Sequence, residues 1–520
     1  MRLAWAGLGA GILGLSAASL AMHQPPPQAV LPRVSSMVPH HTPIRHSPVS
    51  KAALSPRRAA PSATPLAASN RAIGPNSYLA GVVEGFYGPT WSSANTIKIL
   101  QFMSQHYMNT FVYAPKNDPY IRAQWNQPYP AQDLANLKTL VSAAHQNHIQ
   151  FVVSISPGLS IVYSNPADRA ALLNKIAQLQ SIGVQTFMLS FDDIPQTLDT
   201  SDQNIYGNNL GWAQSDLANY VVTKESAANL HFRLIFTPTV YWGDSANSYW
   251  TSLKTHLDPS VDVVWTGPYV LSPTITTAEV QTVQAEIGHP LVIWDNYPVN
   301  DYSYVMNHRP QLFMGPLMGR EPSVVSAVGG YLFNPMLQPL ASEVALWTAG
   351  SFLHNPTGYN PQESWQKAVN ALGGSAAPAF SLFCQDTSTS YLNPAAPNSI
   401  ANDMSAFWAS YQSHANLTQT QLFGDFQNMA GINAELAQSL SPGLYREIQP
   451  WALQLSQQGL VGTQMIEALS AQQKSQTVPS NAMVATLALA HSVTASTLQL
   501  GTTDVMNQWI NQTESLLPFE

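Results

Sequence analysis

The sequence predicts an α/β protein in which a TIM (β/α)8 barrel is followed by a smaller all-helical domain. Seven or eight short apolar runs recur between residues 78 and 334, and amphipathic stretches separate most of them. Runs without polar alternation are typical of parallel strands buried on both faces. Their alternation with helices over about 250 residues indicates an eight-stranded barrel, with a doubly wound sheet as the structural alternative.

The predicted strands end in unusual segments, and this favours the barrel. Glycine, proline and acidic residues follow most of the apolar runs, and in a barrel all of these segments would meet at one rim. After residue 361 the strand pattern gives way to helical patterns. The predicted strands are residues 79–83, 110–113, 151–155, 187–191, 234–236, 261–265, 291–294 and 330–333, and the later helices include 365–372, 404–412, 450–469 and 482–498.

The chain is expected to have four parts. Residues 1–21 are apolar after Met1-Arg2 and end in Ser19-Leu20-Ala21, which predicts a signal peptide with a cleavage site. Residues 22–76 are rich in proline, serine and alanine and predict a disordered linker. Residues 77–355 are the predicted barrel, and 356–520 the helical domain. We therefore expect a secreted or cell-envelope protein, with a tether to a membrane or wall through the N-terminus.

Composition excludes several partners. Charged residues make up 10% of the chain and its net charge is -8, so a nucleic-acid-binding surface is not expected. Cys384 is the single cysteine, which excludes an intrachain disulfide and a cysteine-based zinc site. No metal or cofactor is predicted. One hypothesis for the low charge is adaptation to acid, where few basic groups limit self-repulsion.

Asp192 and Asp193 are the candidate catalytic residues. They follow the predicted strand 187–191, at the end where barrel enzymes carry their chemistry. Two neighbouring carboxylates that are partly desolvated cannot both ionise easily, so one should serve as an acid, as glycosidic cleavage requires. The structural alternative is a pair that caps the next helix.

Adjacent carboxylates are poorly placed to flank a bond as acid and opposing nucleophile, which stand about 5 to 5.5 Å apart across the bond in retaining glycosidases. A nucleophile supplied by the substrate, its 2-acetamido carbonyl, would fit the pair better. Aromatic and amide residues near the strand ends suit an uncharged sugar. They are Tyr87, Tyr113, Trp265, Trp294, Asn296 and Asn334.

Several motifs, taken in order, make the barrel resemble glycoside hydrolase family 84, the O-GlcNAcase and bacterial β-N-acetylglucosaminidase family. They are Gly81-Val82-Val83-Glu84-Gly85-Phe86-Tyr87-Gly88, Tyr113-Ala114-Pro115-Lys116, Ile155-Ser156-Pro157-Gly158-Leu159, Phe191-Asp192-Asp193-Ile194, Trp265-Thr266-Gly267-Pro268, Trp294-Asp295-Asn296, Asn300-Asp301-Tyr302, Gly315-Pro316, Gly319-Arg320 and Asn334-Pro335.

The resemblance implies a retaining exo-β-N-acetylglucosaminidase that hydrolyses terminal β-linked GlcNAc by substrate-assisted catalysis. Asp192 would orient the acetamido N–H, and Asp193 would act as general acid and then base around an oxazoline intermediate. The resemblance also implies a set of substrate-binding residues. Gly81 and Lys116 would contact the pyranose; Asn296, Asp301 and Asn334 would bind polar groups of the sugar; and Tyr241, Thr266, Val270 and Trp294 would line the acetamido pocket.

Two other functions stay open at this point. The first is a tethered GlcNAc-binding, lectin-like protein, and the second is a glycosidase that pairs Asp193 with a protein nucleophile such as Glu84 or Asp301. Glu84 is nevertheless expected to be an inward structural carboxylate, paired with Lys116 or Arg320, because it stands between Val83 and Gly85 in an apolar run.

Overall fold

The architecture is a closed parallel barrel followed by helices. The computed structural model describes residues 77–228, 232–394 and 399–517, so the predicted signal peptide (1–21) and linker (22–76) lie outside the described residues. Eight strands form the barrel in chain order, and the last strand pairs in parallel with the first. The predicted TIM barrel with a helical region after it is confirmed.

The strands lie where the apolar runs predict them. Every strand position is buried, which explains why the runs lack polar alternation. The strands are β1 Leu79–Glu84, β2 Thr110–Tyr113, β3 Gln150–Ile155, β4 Thr186–Ser190, β5 Arg233–Thr237, β6 Asp262–Trp265, β7 Leu291–Asp295 and β8 Gly330–Phe333.

A small apolar cluster fills the barrel interior. It takes at least one side chain from each of the eight strands, including Val83 of β1, Met188 of β4 and Trp294 of β7. Since Trp294 is the next-to-last residue of its strand, the cluster reaches up to the mouth. The interior is therefore packed below the mouth, and a ligand can enter only from the carboxyl ends of the strands.

Helices cover the outside of the barrel. One of the amphipathic stretches between the predicted strands, residues 134–145, lies within the second of them. Their bounds are α1 Ser93–Gln105, α2 Ala131–Gln146, α3 Pro166–Gln180, α4 Thr200–Tyr206, α5 Leu210–Ala228, α6 Ser248–His256, α7 Thr277–Ile287, α8 Asp301–Val305, α9 Val324–Ala327 and α10 Pro339–His354.

The helical region packs on the last barrel helix. The Glu447 carboxylate, in the helix Pro442–Gln473, accepts hydrogen bonds from the backbone N–H groups of Leu340 and Ala341, at the start of α10. No described helix is both long and apolar enough to cross a membrane. The bounds are α11 Pro361–Gly373, α12 Ala377–Asp386, α13 Ser399–Gln412, α14 Gln421–Ser439, α15 Pro442–Gln473, α16 Ser480–Thr494 and α17 Thr503–Glu514.

The C-terminal helices lie where they are predicted, but of their predicted bounds only the end at residue 412 agrees with the structure. The helix predicted from Pro450 begins at Pro442, with Pro450 inside it. Pro450 is exposed, so water can solvate the carbonyl group that loses its helical partner. The helix predicted at 482–498 ends at Thr494 instead.

Candidate active site

The acidic pair lies in the turn that leaves β4. Asp192 is buried and Asp193 half-buried, and the backbone at Asp193 is left-handed, with φ of 54°. The next helix, α4, is capped by Asp199, whose side chain accepts a hydrogen bond from the Ser201 N–H. The alternative that the pair caps this helix is therefore wrong.

Asp192 forms a buried ion pair with Lys116, from the loop after β2. The Lys116 ammonium contacts Oδ2 of Asp192, and the two side chains are 4% and 9% exposed. Burial raises the pKa of Asp192, but Lys116 outweighs this effect and holds it below the ordinary value. Oδ1 of Asp192 is buried and has no hydrogen-bond partner among the described residues. The result is an ionised carboxylate with one acceptor atom to spare.

Asp193 is held by two tyrosines. The Tyr87 hydroxyl donates to Oδ2 at 3.0 Å and the Tyr241 hydroxyl donates to Oδ1 at 2.9 Å. Burial and the nearby Asp193 raise the pKa values of both phenols, so both remain donors. Arg122 donates to the Asp193 carbonyl at 3.3 Å. The carboxyl group of Asp193 is thus fixed in place at the mouth.

A second group of side chains is joined through Asn296. Its Oδ1 accepts hydrogen bonds from Trp294 Nε1 at 2.9 Å and from Asn334 Nδ2 at 3.0 Å, while its Nδ2 donates to the Val270 carbonyl at 2.8 Å. Lys116 Nζ lies 5.7 Å from the centre of a Trp294 ring. The same lysine therefore pairs with Asp192 and lies over the ring of Trp294, which is hydrogen-bonded to Asn296.

The remaining predicted residues lie beside these two groups. Asp301, at the start of α8, accepts a hydrogen bond from the Tyr87 N–H at 2.8 Å, and burial raises its pKa. Thr266, after β6, donates from its N–H to the Tyr241 carbonyl at 2.9 Å. The structure therefore brings together eight of the nine predicted binding residues around the acidic pair: Lys116, Tyr241, Thr266, Val270, Trp294, Asn296, Asp301 and Asn334.

Gly81 is the ninth, and the structure does not bring it to the site. It pairs with Thr110 within β1, where a Cβ atom would clash with the Thr110 carbonyl. Gly85 lies four residues further along, roughly 13 Å nearer the mouth at about 3.3 Å per residue. Its N–H donates to Asn334 at 3.2 Å, and a Cβ there would lie 2.1 Å from the Trp294 ring. Gly85 is the glycine of this site.

Glu84 is inward and buried, as expected, but its predicted partners are wrong. Lys116 pairs with Asp192, and Arg320 binds Asp295 through two hydrogen bonds of 2.7 and 2.6 Å. Glu84 instead accepts a hydrogen bond from the Trp91 N–H at 2.8 Å. The carboxyl of Glu84 therefore belongs to the barrel wall.

Arg122 was not predicted as a site residue. It follows a short 3₁₀ helix, Pro119–Ile121, and belongs to none of the motifs. Besides the Asp193 carbonyl it reaches the Tyr87 hydroxyl at 3.4 Å. An arginine soon after Lys116, in a chain with so few charged residues, is the one sequence signal that could have indicated it.

A parallel barrel whose mouth holds two carboxylates beside aromatic and amide side chains has the arrangement of a glycoside hydrolase. The family model for beta-N-acetylglucosaminidase matches residues 80–385. The chain belongs to this family, and the match extends beyond residue 355 into α12.

The chain is also similar to the protein O-GlcNAcases of Rattus norvegicus and Mus musculus. It is 33% identical to both, over 292 and 285 residues, which are 55% and 54% of this chain but 31% and 30% of those proteins. The match thus spans under a third of the length of these relatives.

Two solved structures are similar over most of this chain. The first is a mutant of the Thermobaculum terrenum O-GlcNAc hydrolase, with a TM-score of 0.76 and 29% identity, covering 84% of this chain and 94% of that one. The second is CpGH84B, with a TM-score of 0.71 and 25% identity, covering 85% and 77%. Both similarities cover the barrel and much of the helical region.

Proposed function

We propose that this chain is a retaining exo-β-N-acetylglucosaminidase that hydrolyses terminal β-linked GlcNAc with the help of the substrate's own acetamido group. Membership of the beta-N-acetylglucosaminidase family supports the activity. The mechanism rests on one observation, the spare acceptor of Asp192.

A buried acceptor without a partner costs about 1–3 kcal/mol. Oδ1 of Asp192 is such an atom, and Lys116 keeps its carboxylate ionised. An amide N–H of the substrate would satisfy Oδ1 and turn the acetamido carbonyl oxygen toward the anomeric carbon. That oxygen attacks as the glycosidic bond breaks, the N–H proton passes to Oδ1 of Asp192, and a neutral oxazoline forms; the proton returns to the nitrogen when the ring opens.

Asp193 carries the proton. It donates to the leaving oxygen in the first step, and in the second it accepts a proton from the water that opens the oxazoline. Its two tyrosine partners, at 3.0 and 2.9 Å, fix the carboxyl while it changes charge. Two inversions at the anomeric carbon give net retention.

The pyranose ring would be bound by amide, carboxyl and aromatic groups. Asn296 and Asn334 face each other across a hydrogen bond of 3.0 Å, and Asp301 adds a carboxyl beside Tyr87. Trp294 offers an aromatic face next to Lys116. This set suits a neutral sugar with several hydroxyl groups.

The test compares an aryl β-N-acetylglucosaminide with the matching aryl β-glucoside. We expect hydrolysis of the first alone, with release of the β-anomer detected by NMR. Equal cleavage of the glucoside would indicate a protein nucleophile and refute substrate assistance. Sugar binding without turnover of either substrate would support the lectin-like alternative.

The two aspartates are separated by leaving-group dependence. Asp193→Asn should reduce the rate on a poorly activated leaving group far more than on an activated aryl group, because only the poor leaving group needs protonation. Asp192→Asn should impair both substrates to a similar degree. The reverse pattern would exchange the two roles.

We also propose that residues 1–21 direct export and that residues 22–76 space the enzyme from the cell envelope, as the apolar leader and the proline-rich composition suggest. N-terminal sequencing of protein from the medium and the membrane fraction tests this. Intact protein confined to the cytoplasm would refute it.

A further inference from the structure

Large apolar side chains are exposed at one side of the barrel mouth. Trp242, in the loop after β5, is 42% exposed, and Tyr269, in the loop after β6, is 60% exposed. Val270 next to it is 37% exposed. Exposed apolar groups that cluster beside a site are typical of a surface that binds something.

Trp242 is presented by a fixed backbone. The residues on either side of it are hydrogen-bonded to the β6 loop: the Tyr241 carbonyl accepts from the Thr266 N–H at 2.9 Å, and the Gly243 N–H donates to the Gly267 carbonyl at 3.1 Å. The Gly243 carbonyl also accepts from an indole N–H at 2.9 Å. The backbone on both sides of Trp242 is therefore fixed without a ligand, and the side chain projects from a rigid loop.

Tyr269 is held in the same way. Its carbonyl accepts from the hydroxyls of Thr266 at 3.0 Å and Ser272 at 2.9 Å, and its N–H donates to Ser272 Oγ at 3.1 Å. These bonds use the backbone groups that an extended peptide would need for pairing. The groups of Trp242 and Tyr269 that remain available to a ligand are therefore mainly the faces of their aromatic rings.

Trp242 lies close in sequence to a residue that contacts Asp193, and Asp193 indicates where the leaving group departs. A general acid must lie beside the leaving oxygen, so the leaving group departs on the side of Asp193. Tyr241, whose hydroxyl donates to Asp193 at 2.9 Å, directly precedes Trp242. Trp242 is thus one residue from a side chain that contacts the proposed general acid, and Tyr269 lies in the loop to which this segment is hydrogen-bonded.

We propose that Trp242 and Tyr269 form a stacking surface for a second sugar residue on the leaving-group side, so that the substrate class is an oligosaccharide with GlcNAc β-linked to another sugar. Residues 238–247 and 266–276 contain a single charged residue, Asp244, which fits a neutral ligand. The inference rests on the proposed hydrolase function and narrows its substrate.

The test compares three substrates: the β-1,4-linked disaccharide of two GlcNAc residues, a seryl O-GlcNAc peptide, and N-acetylglucosaminyl fluoride, whose leaving group is too small to reach the rings. Trp242→Ala and Tyr269→Ala should each lower kcat/KM for the disaccharide about fivefold to tenfold, as expected for the loss of one aromatic contact. The fluoride should be unaffected, and Trp242→Phe should recover most of the loss.

Trp212→Ala is the matched control, since Trp212 is 37% exposed and stacks on His256 away from the mouth. It should leave the ratio of disaccharide to fluoride unchanged. Equal losses on all three substrates, a loss confined to the peptide, or no loss at all would each overturn the inference.

A binding measurement separates this inference from the proposed activity. Calorimetry with the disaccharide and with free GlcNAc needs no turnover. If Trp242→Ala weakens binding of the disaccharide but not of free GlcNAc, the proposed stacking surface is supported even if the protein hydrolyses neither substrate. If the wild-type protein hydrolyses the fluoride but binds both sugars equally, the activity holds and the surface does not.

Discussion

Replacing Glu84 by glutamine should remove a large part of the protein's loss of stability between acid and mildly alkaline pH. The side chain is fully buried, and only Oε1 has a partner among the described residues, the Trp91 N–H. Burial raises the pKa of Glu84 to about 8, the Trp91 hydrogen bond opposes this, and Asp118 adds to it. Folding therefore keeps a proton on this carboxyl that the unfolded chain would release.

The expected size follows from the two pKa values. A carboxyl with an ordinary value of 4.5 and a folded value of about 8 corresponds to about 5 kcal/mol of stability. Because the folded pKa is the higher one, this stability is fully present below pH 4.5 and is lost as the pH rises toward 8. Glutamine does not titrate, and its buried amide costs about 1–3 kcal/mol at every pH. Glu84→Gln should thus be less stable than wild type at pH 4 and more stable at pH 9.

Urea unfolding followed by circular dichroism at pH 4, 6, 8 and 9 measures the effect. Glu467→Gln, an exposed change on α15, is the control and should follow wild type throughout. Burial also raises the pKa values of Glu343, Glu447 and Asp386, to about 8, 7 and 7, so the variant should keep some pH dependence. Curves for Glu84→Gln and wild type that stay a constant distance apart would refute the reasoning.

Three further changes test the site. Lys116→Met leaves Asp192 buried without its cation, so the pKa of this carboxyl rises. The acid limb of the pH profile of kcat/KM should move to higher pH, and kcat/KM should fall about a hundredfold or more. An unmoved limb would contradict the proposed role of the ion pair. Tyr391→Phe removes a hydrogen bond from the helical region to the Asn296 carbonyl, so KM should rise about threefold to tenfold while kcat and the Tm change little; an unchanged KM would count against this support. Gly85→Ala places a methyl group 2.1 Å from a tryptophan ring, and sugar affinity measured by calorimetry should fall more than tenfold in a protein that still folds.

The strands could be predicted because their burial is uniform. Side chains packed on both faces of a parallel strand are all apolar, and β2 and β8 have the predicted bounds. The end of β4 differs by one residue because Phe191 is as buried as the strand before it. Burial continues past the last pairing residue, so apolar character alone cannot locate a strand end.

Helix ends were harder to predict where proline was involved. Pro450 predicted a helix start because proline is favoured in a first turn, yet the buried residues Leu444, Ile448 and Trp451 form one apolar face that runs past it. Packing of that face outweighs the missing hydrogen bond. The choice between Gly81 and Gly85 was also wrong because a glycine's distance from the barrel mouth depends on where the strand ends, which the sequence does not specify.

Contacts between residues far apart in the chain could not be predicted from the sequence. Arg122 reaches Asp193 from a loop some 70 positions earlier, and Tyr391 reaches Asn296 from the helical region. Such pairs share no spacing or motif, because the two residues come together only in the folded barrel. Motifs therefore located most of the groups proposed to touch the sugar and missed Arg122 and Tyr391, which hold these groups from outside the motifs.

The division of work between Asp192 and Asp193 depends on the backbone that joins them. The left-handed φ of 54° at Asp193 costs a residue with a side chain about 1–3 kcal/mol, and it turns one carboxyl toward the tyrosines while its neighbour faces Lys116. Asparagine tolerates this conformation better than most residues and keeps the same shape. An Asp193→Asn variant should therefore preserve the turn while it removes the acid and makes one of the two tyrosine hydroxyls an acceptor of the amide N–H. Asp193→Ala would combine loss of the acid with loss of both tyrosine hydrogen bonds and with backbone strain next to Asp192.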